Sequence, residues 1–310
     1  MMFLKVAVSS LLSRKGSAVM TLMAISVAIF VLLGIEQIRQ QARDSFASTV
    51  SGVDLIVGAK TGSLNLLLYS VFRIGSPTDN ISWQAYRDIA ESGDVAWAIP
   101  ISLGDSHKGY RVVGTTQAFF EHFSFGKKRR LAFSEGKAFE GTFDAVLGSE
   151  VASTLGYSVS TEIVLAHGLA STSFTKHENQ PFVVVGVLAP TGTPVDQTIH
   201  VRLEGLDAMH AGASAVPVGA FAPADMPNTD SSEPESITAF MLGLKSRMST
   251  FNVQRQINEF AGEPLMAILP GVALSELWQM MSMFENVLRL ISALVLLAAV
   301  LGMGAVLLSS

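Results

Sequence analysis

The stretch "LISALVLLAAVLGMGAVLLSS" (Leu290–Ser310) holds 21 residues without a charge. A buried core helix needs an apolar run of about 10–14 residues, whereas a helix crossing a hydrocarbon layer about 30 Å thick needs about 20. The run, preceded by Arg289, therefore reads as a transmembrane span. A second run, "GSAVMTLMAISVAIFVLLGI" (Gly16–Ile35), lies between Lys15 and Glu36. A cleaved signal peptide would show an apolar region of about 7–15 residues followed by a small-x-small site. Here 20 apolar-rich residues lead into "EQIRQQARDSF", so this too reads as an uncleaved span.

Composition agrees with lipid embedding. Of 310 residues, 49% are apolar and 15% charged, where a soluble domain has about 25% charged, and the mean hydropathy is positive. The formal charge of −5, with no long basic stripe, argues against a nucleic-acid partner. Cysteine is absent, which removes disulfides, thiolate nucleophiles and Cys-based zinc sites. Lys5, Arg14 and Lys15 precede the first span with no acidic residue among them, so the positive-inside rule puts the N-terminus in the cytoplasm. Residues 36–289 then lie outside, carrying all 26 acidic residues and every basic residue except those three, a net of −8. Residues 1–15, apolar-rich and basic at the end, read either as an interfacial helix or as the start of the first membrane helix.

Both spans continue outward in a helical pattern. After the first, Ile35, Ile38, Ala42 and Phe46 recur at 3–4 spacing. Before the second, "ALSELWQMMSMFENVLR" repeats the pattern with Leu274, Leu277, Trp278, Met281, Phe284 and Leu288. Each apolar stripe needs a partner, and the reading pairs the two stalks with each other.

Between the stalks, "VDLIVGAK" reads as a strand ending in a glycine turn, "SWQAYRDIAES" as a helix capped by Ser82, and "VAWAIPISL" as a strand. From Gly109 to Leu206, β-type segments dominate: "YRVVGTT", "DAVLGSEVA", "EIVLAHG", "PFVVVGVLAP" and "TIHVRLEGL". Ala211–Ser236, rich in Ala, Pro and Ser and without Lys or Arg, reads as a mobile acidic loop. "ITAFMLGLK" is a strand, "STFNVQRQINEFAG" a helix capped by Ser249 or Thr250, and "PLMAILP" a strand.

The fold class expected is an α+β membrane protein: two transmembrane helices flank an extracytoplasmic α/β domain with a β-rich inserted subdomain. The segments are 1–15 at the cytoplasmic face, 16–35 the first span and 36–51 a stalk. Residues 52–100 and 237–272 form the α/β domain, 101–210 the insertion and 211–236 the acidic loop. The second stalk is 273–289 and the second span 290–310.

No phosphate-binding loop occurs. "GAKTG" (Gly58–Gly62) and "GKKRR" (Gly126–Arg130) lack the G-x-x-x-x-G-K-[ST] spacing, and "TGTPVDQ" (Thr191–Gln197) reads as turn chemistry. His107, His122, His167, His177, His200 and His210 share no i, i+4 face, so neither a metal nor another cofactor is expected. "GSE" (Gly148–Glu150) is not a nucleophile elbow, and no catalytic residue is assigned. The cluster Lys127–Arg130 reads as a solvated turn, with contact to anionic lipid or an acidic partner as the rival. "SLNLLLYSVFRI" (Ser63–Ile74) crowds apolar residues into a dozen positions. It reads as a buried helix; the sharper alternative is an apolar surface in which Leu67 and Phe72 touch lipid or a lipidated cargo.

Four signatures, "LAFSEGKAF", "AVLGSEVASTLG", "FVVVGVLAPTGTPVDQTIHV" and "LEGLDAMH", in this order between two spans, resemble the MacB/FtsX-like permeases of ABC transporters. In that family a first span leads into an exterior α/β domain with a β-rich part, and three more spans follow. This sequence ends after the second span, without the cytoplasmic loop where the ATPase docks, so either it is a fragment or the resemblance covers half of a working permease. It implies a separate ABC ATPase subunit, a homodimer or paired permease, a periplasmic adaptor protein and membrane lipid as partners. It also implies residence in a bacterial inner membrane. Ile38, Phe46, Leu277, Met281 and Phe284 would then convey force through packing. A two-span sensor with an exterior ligand-binding domain is the alternative, and a relay to cell-wall enzymes a third.

Overall fold

Alternate residues of the stretch Leu55–Ala59 face opposite sides of a sheet, and all five are buried, so both sides of it are covered. In chain order the computed structural model, which describes residues 15–49, 51–167, 181–214 and 233–308, begins with helix α1 (Lys15–Thr49) and strand β1 (Leu55–Ala59). Helix α2 (Ser63–Leu67) runs into a π-helical turn (Leu68–Phe72), followed by β2 (Ile81–Ser82), α3 (Trp83–Ala90), β3 (Val95–His107), β4 (Tyr110–Thr115) and α4 (Ala118–His122). Next come β5 (Ser124–Phe125), β6 (Arg129–Arg130), β7 (Phe133–Gly136), β8 (Asp144–Leu147), α5 (Ser149–Leu155), β9 (Glu162–Ile163) and β10 (Ala166–His167). After β11 (Phe182–Leu188), a 3-10 turn (Pro194–Gln197), β12 (Thr198–Arg202) and α6 (Leu203–Ser214) follow. β13 (Ser236–Ile237), β14 (Ala239–Leu244), α7 (Thr250–Asn258), β15 (Leu265–Ile268) and α8 (Pro270–Leu308) complete the order.

Residues Ser45–Ser275 form one of two compact units. Its main sheet runs β15-β1-β14-β3-β4-β12-β8-β11-β7, with β10 against β3 and β9 against β11. The 13-residue β3 serves both ends of it. Its first half pairs antiparallel with β14, from Val95↔Leu244 to Ile101↔Ala239, and its second half with β4, from Ser102↔Gly114 to His107↔Tyr110. Leu55 and Val57 turn to one face, where Ala85, Ile89, Val253 and Ile257 of α3 and α7 cover them. Ile56 turns to the other, where Leu66, Leu67, Tyr69 and Phe72 pack. That second core continues into Val113, Phe119, Phe139, Val146 and Leu188, so it joins the α/β strands to the β-rich ones. A third cluster, including Leu147, Val151, Phe182, Ile199 and Leu206, lies under α5 and α6.

Several local expectations change. Gly58 lies inside β1 rather than in a turn, because α2 crosses it closely: a Cβ there would meet Leu66 Cδ1 at 2.7 Å and Tyr69 Oη at 2.8 Å. "GSEVA" and "LEGL" are helical, not strand. Gly148 makes the first switch, since a Cβ would approach Val195 O to 2.3 Å. Ser82 does cap α3, accepting from Ala85 N at 3.2 Å, whereas Ser249 makes no side-chain cap bond to α7. The segment 1–14 and most of the acidic loop, 215–232, lie outside the described residues.

The second unit comprises Met1–Asp44 and Glu276–Ser310, carried by the 35-residue α1 and the 39-residue α8. Within α8, Pro270–Gly302 is long and apolar enough to cross a membrane. In α1 the apolar helical stretch is Ile25–Ile38, shorter than a span requires. Among the described residues one helix therefore meets the criterion, where the sequence led to the expectation of two.

Candidate functional site

Two places hold side chains that core packing alone does not account for. The first is the helical unit. Of the expected stalk residues, Ile38, Met281 and Phe284 are 68%, 45% and 70% exposed, Leu277 is half-buried, and the Phe46 side chain lies outside the described residues. Ile38, Met281 and Phe284 are therefore left uncovered within one chain. The helices approach through Leu32, Ile35, Glu36, Leu288 and Arg289, which line a groove of about 340 Å³ rather than a closed seam. Arg289 Nη2 donates to Glu36 Oε2 at 3.2 Å, joining the residue after one apolar run to the residue before the other. Further along, Met20, Met23, Val27, Val31, Ile291 and Val295 line an apolar trough of about 650 Å³.

In the exterior unit, Leu67 and Phe72 are 1% and 7% exposed. The surface alternative for them is corrected accordingly: both fill the core beneath β1 rather than forming an apolar surface, and Phe72 alone keeps an edge at the cleft described below. Lys127–Arg130 sits in the exposed β5–β6 hairpin, where Arg129 stacks over the Phe125 ring at 4.7 Å. Asp196 closes its own turn, accepting from Thr191 N at 2.9 Å and Gly192 N at 2.7 Å, which is the turn chemistry read from "TGTPVDQ". Among the described residues no group of His, Asp and Glu is arranged to hold a metal ion.

The second place follows the π-helical turn. Arg73 ends that turn in the left-handed region, with φ 61° and ψ 23°, a conformation uncommon outside glycine and frequent at functional positions. Its Nη1 donates to Ser70 O, and Arg111 Nη2 donates to Gly75 O. The two arginines share a cleft of about 420 Å³ with Phe72, Ile74, Tyr110, Pro194 and Thr198. Burial, with the Arg111 charge adding, lowers the Arg73 pKa to about 10, and burial also lowers that of Arg111. Next to Arg73, His200 is fully buried and stacked on Phe119 at a ring separation of 4.8 Å. The sequence reading missed this pair. Arg73 was visible as the cation closing an apolar run, but Arg111 lies on a distant strand and no local spacing links them.

A family model described as the MacB-like periplasmic core domain matches residues 18–260, most of the chain. The chain belongs to this family. The MacB/FtsX-like resemblance carried by its four signatures is thereby borne out, and Ser45–Ser275 is an extracytoplasmic domain of the MacB-like permease type found in ABC transporters. Similar solved structures include the periplasmic region of MacB from Actinobacillus actinomycetemcomitans, at TM-score 0.46 and 8% identity, covering 74% of this chain and 94% of that one. The extracellular domain of the noncanonic ABC-type transporter YknZ from Gram-positive bacteria gives TM-score 0.41 and 10% identity, covering 70% and 98%. No curated protein sequence matches the chain.

Proposed function

We propose that this chain is the membrane-spanning permease subunit of an ABC transporter. A separate ATPase hydrolyses ATP, and the resulting motion of the helices moves the extracytoplasmic domain against cargo or an adaptor protein. The carrying observation is the family match over residues 18–260. In this reading Gly16–Ile35 and Leu290–Ser310 both cross a bacterial inner membrane, with the N-terminus cytoplasmic and residues 36–289 outside. The Glu36–Arg289 pair supports that topology, because it holds the outer ends of both apolar runs at one level. The exposed Ile38, Met281 and Phe284 support a partner beyond the single chain, a second permease copy or a paired permease.

Full-length protein reconstituted with its ATPase tests the coupling. Met281→Asp should leave ATPase binding intact while ATP hydrolysis no longer drives function. Normal coupling in that variant would overturn the stalk role. For topology, protease added to sealed right-side-out cells should cut between Ala211 and Ser236; cleavage there only from the cytosolic side would reverse the orientation.

A further inference from the structure

The cleft beside the π-helical turn brings together features that folding alone does not require. Neither Arg73 nor Arg111 meets a carboxylate among the described residues. Each donates one bond to a backbone carbonyl and retains most of its five N–H donors. Two like charges in a partly dehydrated cleft disfavour each other, and an anion placed between them relieves both at once. Gln197 on the rim is already turned to Glu150, at 3.0 Å to each carboxylate oxygen, so that acid is engaged elsewhere.

The walls narrow the ligand. Phe72, Ile74, Tyr110 and Pro194 give the cleft apolar lining, while Arg73, Arg111 and Thr198 give it polar lining. A volume of about 420 Å³ falls within the range of small-molecule sites and exceeds what a bare inorganic anion fills. Planar guanidinium forks match phosphate and carboxylate oxygens. The positive φ of Arg73 fixes where that fork begins. We propose that the Arg73–Arg111 cleft binds an amphiphilic organic oxyanion, its phosphate or carboxylate between the two guanidinium groups and its carbon body against Phe72, Ile74 and Tyr110. This goes beyond the permease reading and does not depend on it.

The test uses the full-length chain in nanodiscs of zwitterionic lipid, with hexyl phosphate, inorganic phosphate and hexanol as probes at fixed ionic strength. Calorimetry should show saturable binding of hexyl phosphate, at least tenfold weaker binding of inorganic phosphate, and none of hexanol. Arg111→Gln should weaken hexyl phosphate at least tenfold. Arg73→Gly, which keeps the left-handed backbone without strain, should do the same. Arg87→Gln, removing an exposed arginine paired with Glu233 at 2.6 Å, should leave binding unchanged. Equal affinity in wild type and a folded Arg111→Gln variant, or no saturable binding by wild type, overturns the proposal. Where Arg73→Gly fails to fold, Arg111→Gln alone decides. Repeating the titration in nanodiscs containing phosphatidylglycerol separates the sources: Arg111-dependent competition identifies a lipid headgroup, and undiminished probe affinity identifies a soluble solute.

Discussion

His200 on β12 is packed against Phe119 and Phe120 with its ring removed from water. Burial, reinforced by the neighbouring Arg73 charge, lowers its pKa from 6.5 to about 3. Between those two values the unfolded chain binds a proton that the folded chain refuses, so acid favours unfolding and stability rises with pH across the window. The slope contributed is about 1.4 kcal/mol per pH unit where the unfolded imidazole is protonated and the folded one is not. His200→Phe should remove that component. Chemical denaturation of both proteins at pH 4.5, 5.5 and 7 checks it, and an unchanged acid slope in the variant would exclude His200 as the source. At this scale the sequence displayed the histidine but not its dryness, since β12 alone does not reveal which neighbours cover it.

At the scale of elements, α3 shows a helix start written in local code. The Ser82 hydroxyl accepts from Ala85 N and donates to Glu263 Oε1 at 3.1 Å, and Ala85 and Ile89 are buried in the core. Ser82→Ala should cost about 1 kcal/mol with an unchanged dependence on denaturant, read as a lower urea midpoint at equal slope. A loss near zero would mean that Glu263 re-caps the helix. The strand-to-helix switch after β8 was harder to read, because "AVLGSEVA" is apolar enough for either state. What selects the helix is contact with the turn at Val195 and Asp196, which leaves room only for Gly148. The π-helical turn was likewise not legible: periodicity marked Ser63–Ile74 as helical, but neither the wider winding nor the left-handed exit at Arg73 has a local signal, and Leu66 and Tyr69 pack over Gly58 only in the folded chain.

At the scale of the whole molecule, the core around Leu66, Leu67 and Tyr69 draws side chains from the α/β strands and from the β-rich strands alike. Leu67→Ala should therefore destabilise the entire exterior unit by about 2–5 kcal/mol, the range for emptying a buried leucine site. Trp97 fluorescence and far-ultraviolet circular dichroism should report one coincident denaturant transition in wild type and variant. Two separated transitions would mean that the β-rich part folds by itself. In the helical unit, the exposed stripe of Met281 and Phe284 predicts the opposite behaviour for Phe284→Ser: little change in exterior stability, with the loss appearing in assembly, read by light scattering of purified protein.

By itself the sequence determined the apolar runs, the charge asymmetry around them, the strand character of β1 and the four signatures of the family, because each is a local pattern whose physics acts over a few residues. The tertiary structure alone decided that Ile38, Met281 and Phe284 stay exposed and, between the two readings of Ser63–Ile74, that Leu67 and Phe72 are core. It also decided that Arg73 and Arg111 share one cleft. That last outcome depends on which surfaces meet when β3 binds two groups of strands into one sheet, and a meeting of distant segments leaves no period or spacing in the chain.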